Sequence, residues 1–272
     1  MPGADPAAHA AAAISGADVI VLELEDFTPP QLRTKARAIA ASAFAAWRTA
    51  GALAGVRINP LEGDGRADLA GIVAAPPDIV MMSKVESPEQ VKALDAAAPG
   101  GAELVPNIES ARALTRAAQI AGASARISAL LVASEDMVAD LGTERSRGGE
   151  ELAYVRARFL LECRAAGVEA IDCPYTLSDV KGAVADARHA RRLGYRMKSL
   201  VDPSHARAIN KVFTPDLSKA AKIVAAFEKA RAQGKDRAQV DGALIEVPIY
   251  AAAKRLLESA AHSRPPRRKT PR

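Results

Sequence analysis

Seven short apolar runs, each followed by a stretch with helical spacing, constrain this chain more than any other feature. They fall at residues 19–25, 55–60, 78–85, 102–108, 127–134, 169–174 and 196–202. Most are continuous rather than alternating, as in DIVMM and ALLVA. A strand that is apolar on both faces must be covered on both. Strand–helix alternation supplies that cover in a parallel sheet. Hydrophobic residues make up 49% of the chain but aromatics only 4%. Such an aliphatic core suits helices laid on a parallel sheet better than a sandwich.

The runs suit either an open doubly wound sheet or a closed (β/α)8 barrel. No G-x-G-x-x-G and no phosphate-binding loop follows any strand. Polar residues gather instead at the C-terminal tips of several strands, the rim where barrel enzymes carry their active residues. The expected fold is therefore α/β, a TIM-type barrel. Seven strands leave it one short. The chain opens MPGADP directly before its first helix, where a first barrel strand would end, so that strand is expected to be absent. The barrel is expected over 1–215 and a helical extension over 216–261. A disordered basic tail is expected over 262–272, a Pro-rich stretch with no apolar face.

Net charge is +5, and the last ten residues, SRPPRRKTPR, carry five Lys/Arg and no acid. No basic patch interleaved with aromatics occurs elsewhere, so no nucleic-acid partner is expected. No apolar run is long enough to span a bilayer and no secretory signal opens the chain, so a cytoplasmic protein without a membrane partner is expected. Cys163 and Cys173 follow no metal-ligand spacing and are expected as buried, reduced thiols.

Two similar phrases stand out in Ala102–Gly142: AELVPNIESARAL and ISALLVASEDMVADLG. Each is a buried strand that ends on acid. Carboxylates at adjacent tips, Glu109 and Asp136, suit a hard divalent cation, which takes one or two carboxylates plus water and substrate oxygens. A helix-starting acid favoured by the dipole accounts equally for either residue alone. Glu135, adjacent to Asp136, would point to the opposite face of a strand.

The tips and their order resemble the HpcH/HpaI aldolase and citrate lyase β-subunit superfamily, in its citrate-lyase-β-like, malyl-CoA-lyase-like branch. The matching stretches run VLELED-FTPP (21–30), VRINP (56–60), SKVES (83–87), VPNIESARAL (105–114), SEDMVADLG (134–142), GYRMKSLVDPSHARAIN (194–210) and LIEVP (244–248). The resemblance implies a homotrimeric or homohexameric barrel that uses Mg2+, or Mn2+ in its place, to make or break a carbon–carbon bond beside a carbonyl. It implies metal ligation by Glu109 and Asp136. It gives Arg57 the substrate carboxylate or carbonyl, and places Glu25 and Asp26 near the metal and its waters. It places Glu246 where a C-terminal acid acts across a subunit boundary. Asn59 and Lys84 are further candidates for substrate binding.

The chain departs from the family pattern at four places. Glu23 stands for an Asp, Val201-Asp202-Pro203 for I-H-P, Glu246 for an Asp, and Met197 for a Gly. The last three lie in regions tied to acyl-CoA or to the partner's acid.

A planar guanidinium at Arg57 suits a carboxylate, while an ion pair with a tip acid such as Glu25 is the alternative role. Asn59 also suits a cap before Pro60. Lys84 sits where a Schiff-base lysine would, but an acid neighbour, Glu86, would raise its pKa rather than lower it. Asp172 and Asp202 read as supports behind the site or as caps. His205 is the one histidine placed to approach it. The expected function is Mg2+-dependent cleavage of a carboxylated 3-hydroxyacyl-CoA of the malyl, citramalyl or citryl type, with the thioester as substrate. The alternative is a metal-dependent class II aldolase releasing pyruvate or another 2-oxo acid without CoA. A degraded, non-catalytic barrel is the third reading.

Overall fold

The computed structural model describes residues Met1–His262. Of the basic tail expected over 262–272, His262 ends the last helix and the rest lies outside the described residues. Seven parallel strands form one curled sheet in sequence order: β1 (Val19–Glu23), β2 (Leu53–Ile58), β3 (Ile79–Met82), β4 (Glu103–Ile108), β5 (Ala129–Val132), β6 (Glu169–Asp172) and β7 (Met197–Lys198). Every connection returns through at least one helix, as parallel pairing requires. The result is a half-barrel of the TIM kind. All seven expected strands form, but β7 is reduced to two residues where 196–202 was predicted.

Strand alternation sorts the side chains into two layers. On the concave side Ile79, Met81, Val105, Ala129, Leu131 and Ala133 pack together with Val19, Val21 and Ile171. On the convex side Leu22, Val56, Val80, Leu104 and Leu130 meet the helices. The helix Arg33–Thr49 buries Ala36, Ala40, Ala43, Phe44 and Trp47, a stripe with helical period. Its small alanines let it lie close to the sheet.

After β4 the chain forms two helices, Ala111–Leu114 and Ala117–Ala121, because Thr115 turns its hydroxyl onto the Arg112 carbonyl and Arg116 leaves helical geometry. One local expectation is corrected. Glu135 and Asp136 are not on a strand. They open the helix Glu135–Leu141 after β5 has ended. At the outer edge of β1, Pro2 makes a parallel bridge to Glu23, and the Glu23 amide donates to the Met1 carbonyl at 3.0 Å.

A second compact unit begins at Thr214. It holds the helix Leu217–Ala232, an antiparallel hairpin of β8 (Ala238–Val240) and β9 (Ala243–Ile245), and the helix Val247–His262. Asp241 and Gly242 both have positive φ, the geometry of a tight two-residue hairpin turn. Phe227, Ile223 and Ile245 form its core, with Tyr250 stacked on Phe227 at 4.6 Å. Among the described residues no helix is long and apolar enough to cross a membrane.

Candidate active site

The rim of the half-barrel is built from β1, β2, β3 and β4. Glu23 and Arg57 are register partners across β1 and β2. Arg57 Nε donates to Glu23 Oε1 at 3.0 Å, and Arg57 Nη2 lies 3.3 Å from Glu25 Oε2. The other duty of Glu23 is local. Its two carboxylate oxygens accept from the Glu25 and Phe27 amides at 2.7 and 2.6 Å. It therefore folds the loop that carries Glu25 and Asp26. Phe27 lies under the guanidinium, whose carbon is 5.9 Å from the ring centroid.

Lys84 follows β3 with φ +54°, a left-handed backbone that a lysine adopts only when its surroundings hold it there. Its ammonium is held by Glu25, with Asp26 at 3.5 Å. Partial burial disfavours the charged ammonium, but the Glu25 hydrogen bond and the charges of Glu25, Asp26 and Glu109 outweigh it and raise the pKa. The acid beside Lys84 is thus not Glu86, which is turned to Ser110 and Arg112. Burial is also the largest influence on Glu25 and raises its pKa, with Lys84 opposing.

Glu109 follows directly on β4 and is 4% exposed. Neither of its carboxylate oxygens has a hydrogen-bond partner. Burial, reinforced by the charge of Asp136, pushes its pKa up to about 7. Two residues earlier on the same strand, Asn107 is fully buried; its amide lies close enough to Glu109 to lower that carboxyl's pKa, but neither end of it makes a hydrogen bond of good geometry. Buried polar atoms without partners are rare and mark a place where something else is expected to bind. A carboxylate with both oxygens open, a second carboxylate at half-buried Asp136 and an amide oxygen make an all-oxygen donor set, the kind Mg2+ prefers. Among the described residues no cluster of three His, Cys, Asp or Glu ligands forms. Two carboxylates leave the remaining positions to water and substrate.

Comparisons with known proteins identify the family. The model of the HpcH/HpaI aldolase/citrate lyase family matches residues 1–203. The chain belongs to that family. It is 33% identical to the citrate lyase subunit beta of Haemophilus influenzae over 96% of this chain and 94% of that one. It is 28% identical to a (3S)-malyl-CoA thioesterase of Cereibacter sphaeroides over 96% of this chain and 92% of that one. Among solved structures it resembles the protein CitE of Mycobacterium tuberculosis, determined in complex with magnesium, acetoacetate and coenzyme A. The TM-score is 0.77 at 27% identity, covering 96% of each chain. Membership of the citrate-lyase-β-like branch makes this protein an enzyme, a lyase.

The other residues singled out by sequence bond to the fold or lie in the second unit. Asn59 is turned to the fold: its amide nitrogen donates to the Leu24 carbonyl and to Asp68 Oδ2, both at 2.8 Å. Asp172 lies in a buried ion network with Arg156, Lys198 and Asp186. Asp202 caps the turn at Ser204, and His205 is buried against the Ser178 carbonyl. Glu135 is held by Arg145 and Thr176, so it does leave the site, but through helical geometry rather than strand alternation. Glu246 belongs to the second unit, where its carbonyl caps the start of the helix Val247–His262. The residue that sequence reasoning missed is Asn107. Its signal was present in V-P-N-I-E, where strand alternation sets it on the same face as Glu109.

Proposed function

We propose that this enzyme cleaves a carboxylated 3-hydroxyacyl-CoA of the malyl, citramalyl or citryl type, with Mg2+ held by Glu109 and Asp136. The observation that carries this reading is the Glu109 carboxylate, buried with neither oxygen in a hydrogen bond of good geometry and within electrostatic reach of Arg57, Glu25 and Lys84. The magnesium and coenzyme A bound by CitE of M. tuberculosis, and the malyl-CoA thioesterases among the relatives, support it. When bound, Mg2+ supplies Lewis-acid stabilisation of the charge that develops on the substrate oxygens.

The chain's own residues divide the remaining work. Arg57 presents its guanidinium to the substrate carboxylate, released for that from Glu25, to which it makes a contact and no hydrogen bond. Glu25, with its pKa raised, accepts the proton of the 3-hydroxyl. The carbon–carbon bond then breaks, its electron pair passing into the thioester as an enolate and leaving a 2-oxo acid. Lys84 and Arg57 hold positive charge at the rim while this negative charge moves. A proton returned to the enolate carbon completes the cleavage, and Glu246 of a neighbouring subunit is the acid for that step. This assignment carries with it a cytoplasmic homotrimer or homohexamer.

The test is an assay of purified protein on a panel of such thioesters, with Mg2+ and with EDTA. Mg2+-dependent release of a 2-oxo acid together with an acyl-CoA is expected. Release of free thiol alone would indicate thioester hydrolysis instead. Turnover of 4-hydroxy-2-oxo acids with none of the thioesters would assign the class II aldolase reaction.

A further inference from the structure

The helix Val180–Leu193 ends in a run of cations. Arg188, Arg191 and Arg192 are spaced three and four apart, so one face carries all three. The helix Ala206–Phe213 packs against it through Ile209 and Val212, on Ala183 and Ala187. It carries Arg207 and Lys211, again four apart. The two cationic faces open on one cleft of about 660 Å3, lined also by Val184 and Val212 and by no carboxylate. That volume is within the range of small-ligand sites.

A helix dipole favours cations in a last turn, and this accounts for Arg191 and Arg192 singly. It does not account for Arg207, which stands in the first turn of its helix, where the dipole opposes it. Nor does it explain five positive charges around one concavity, since like charges four apart on a helix cost stability. Two of the five are fixed in place. Arg191 Nη1 donates to the Val212 carbonyl at 2.5 Å and Arg207 Nη2 to the Ile14 carbonyl at 3.3 Å. Both acceptors are neutral, so the guanidinium groups are oriented while their charge stays uncompensated. Arg188, Arg192 and Lys211 are exposed.

We propose that this cleft binds a compact multivalent phosphate, either a free polyphosphate or the phosphate end of a larger ligand. Guanidinium forks match phosphate oxygens in pairs, and a carboxylate ligand would use fewer of the five cations. None of the cleft residues belongs to the rim of Glu109 and Arg57, so this site is independent of the cleavage reaction.

The test is calorimetric titration of the full chain at about 0.15 M salt, where exposed charges are screened beyond roughly 8 Å. The probes are tripolyphosphate, a nucleoside triphosphate without metal, sulfate and a short DNA duplex. Saturable tripolyphosphate binding is expected, weakened roughly tenfold or more by Arg188→Gln with Arg192→Gln, which removes two of the cations that pair with phosphate. A second variant, Lys211→Glu, is expected to weaken it too, with melting temperatures near that of the parent showing that both fold. A nucleoside triphosphate that binds tighter than tripolyphosphate supports a larger ligand, and equal affinity a free polyphosphate. No tripolyphosphate binding, binding unchanged in both variants, or sulfate binding equally well would overturn the proposal. Duplex binding without tripolyphosphate binding would replace it with a nucleic-acid surface. Thioester cleavage measured on the same variants reads the rim separately, so either proposal can fail alone.

Discussion

Glu23 and Arg57 face each other across β1 and β2, and the carboxylate that holds Arg57 Nε also holds the amides of Glu25 and Phe27. One side chain therefore aims the arginine and shapes the acidic loop at once. Glu23 stands where the family pattern has Asp, and the extra methylene is what this carboxylate has for reaching both sets of donors. Replacing it removes a buried charge that compensates Arg57.

Glu23→Gln is expected to destabilise the fold by about 2–4 kcal/mol, a little less than a fully broken buried pair, since Arg57 keeps only its longer contact to Glu25. Urea unfolding measures this. Cleavage activity is expected to fall further than stability explains, through KM as well as kcat, because Arg57 loses its aim. A variant with parental stability and activity would show that Glu23 is dispensable.

Glu109 supplies a pH dependence. Its pKa is raised by burial and by Asp136 to about 7. In the unfolded chain the carboxyl titrates near its ordinary value, so metal-free folded protein gains stability from this group below that value. The gain is lost as pH rises through 7, by about 3 kcal/mol in total. Without metal, stability is therefore expected to fall between roughly pH 5 and 8, and Glu109→Gln to flatten that slope. Metal binding needs the ionised form. Mg2+ affinity is expected to drop about tenfold for each pH unit below 7 and to vanish in Glu109→Gln. Thermal melts and calorimetric titration at several pH values read the two effects independently.

Lys84 is expected to form no covalent adduct. Its ammonium is held by Glu25, and its pKa is raised rather than lowered, so little free amine is present to attack a carbonyl. Borohydride added with a 2-oxo acid should leave the intact mass unchanged. A reduced adduct at Lys84 would overturn the electrostatic role given to it here.

The rim was legible in sequence to the degree that strand periodicity determines it. Arg57, Glu25 and Glu109 lie within or directly beyond apolar runs, and the structure brings them together by electrostatics and contact. Asp136 does not stand at a strand tip as the sequence suggests, because β5 stops at Val132 and the acids begin a helix. The β8–β9 hairpin interrupts the stretch 216–261 expected to be helical, although Asp241-Gly242 between AQV and ALI is a two-residue turn signal. Short strands at the margin of a helical stretch carry too little periodicity to be noticed without that signal. The Arg156–Asp172–Lys198 network was out of reach for another reason. Its members come from residues 156, 172, 186 and 198, and only the fold brings them within bonding distance.

That network gives the last prediction. Asp172 is fully buried at the end of β6 and accepts from Arg156 Nε and Nη2 at 2.9 and 2.7 Å and from Lys198 Nζ at 2.6 Å. Lys198 is half of the two-residue β7, so this ion pair does for the last strand what a longer ladder does for the others. Asp172→Asn leaves two buried cations with Asp186 as their remaining carboxylate. It is expected to cost about 3–5 kcal/mol and to lower Tm by roughly 6–20 °C. Hydrogen exchange should show the loss first in the amides of 197–199, since β7 has few other bonds to the sheet. Asp202→Ala, which removes an exposed-turn cap a few residues on, is expected to cost only about 1 kcal/mol. If the two variants melt alike, β7 is held by packing rather than by charge.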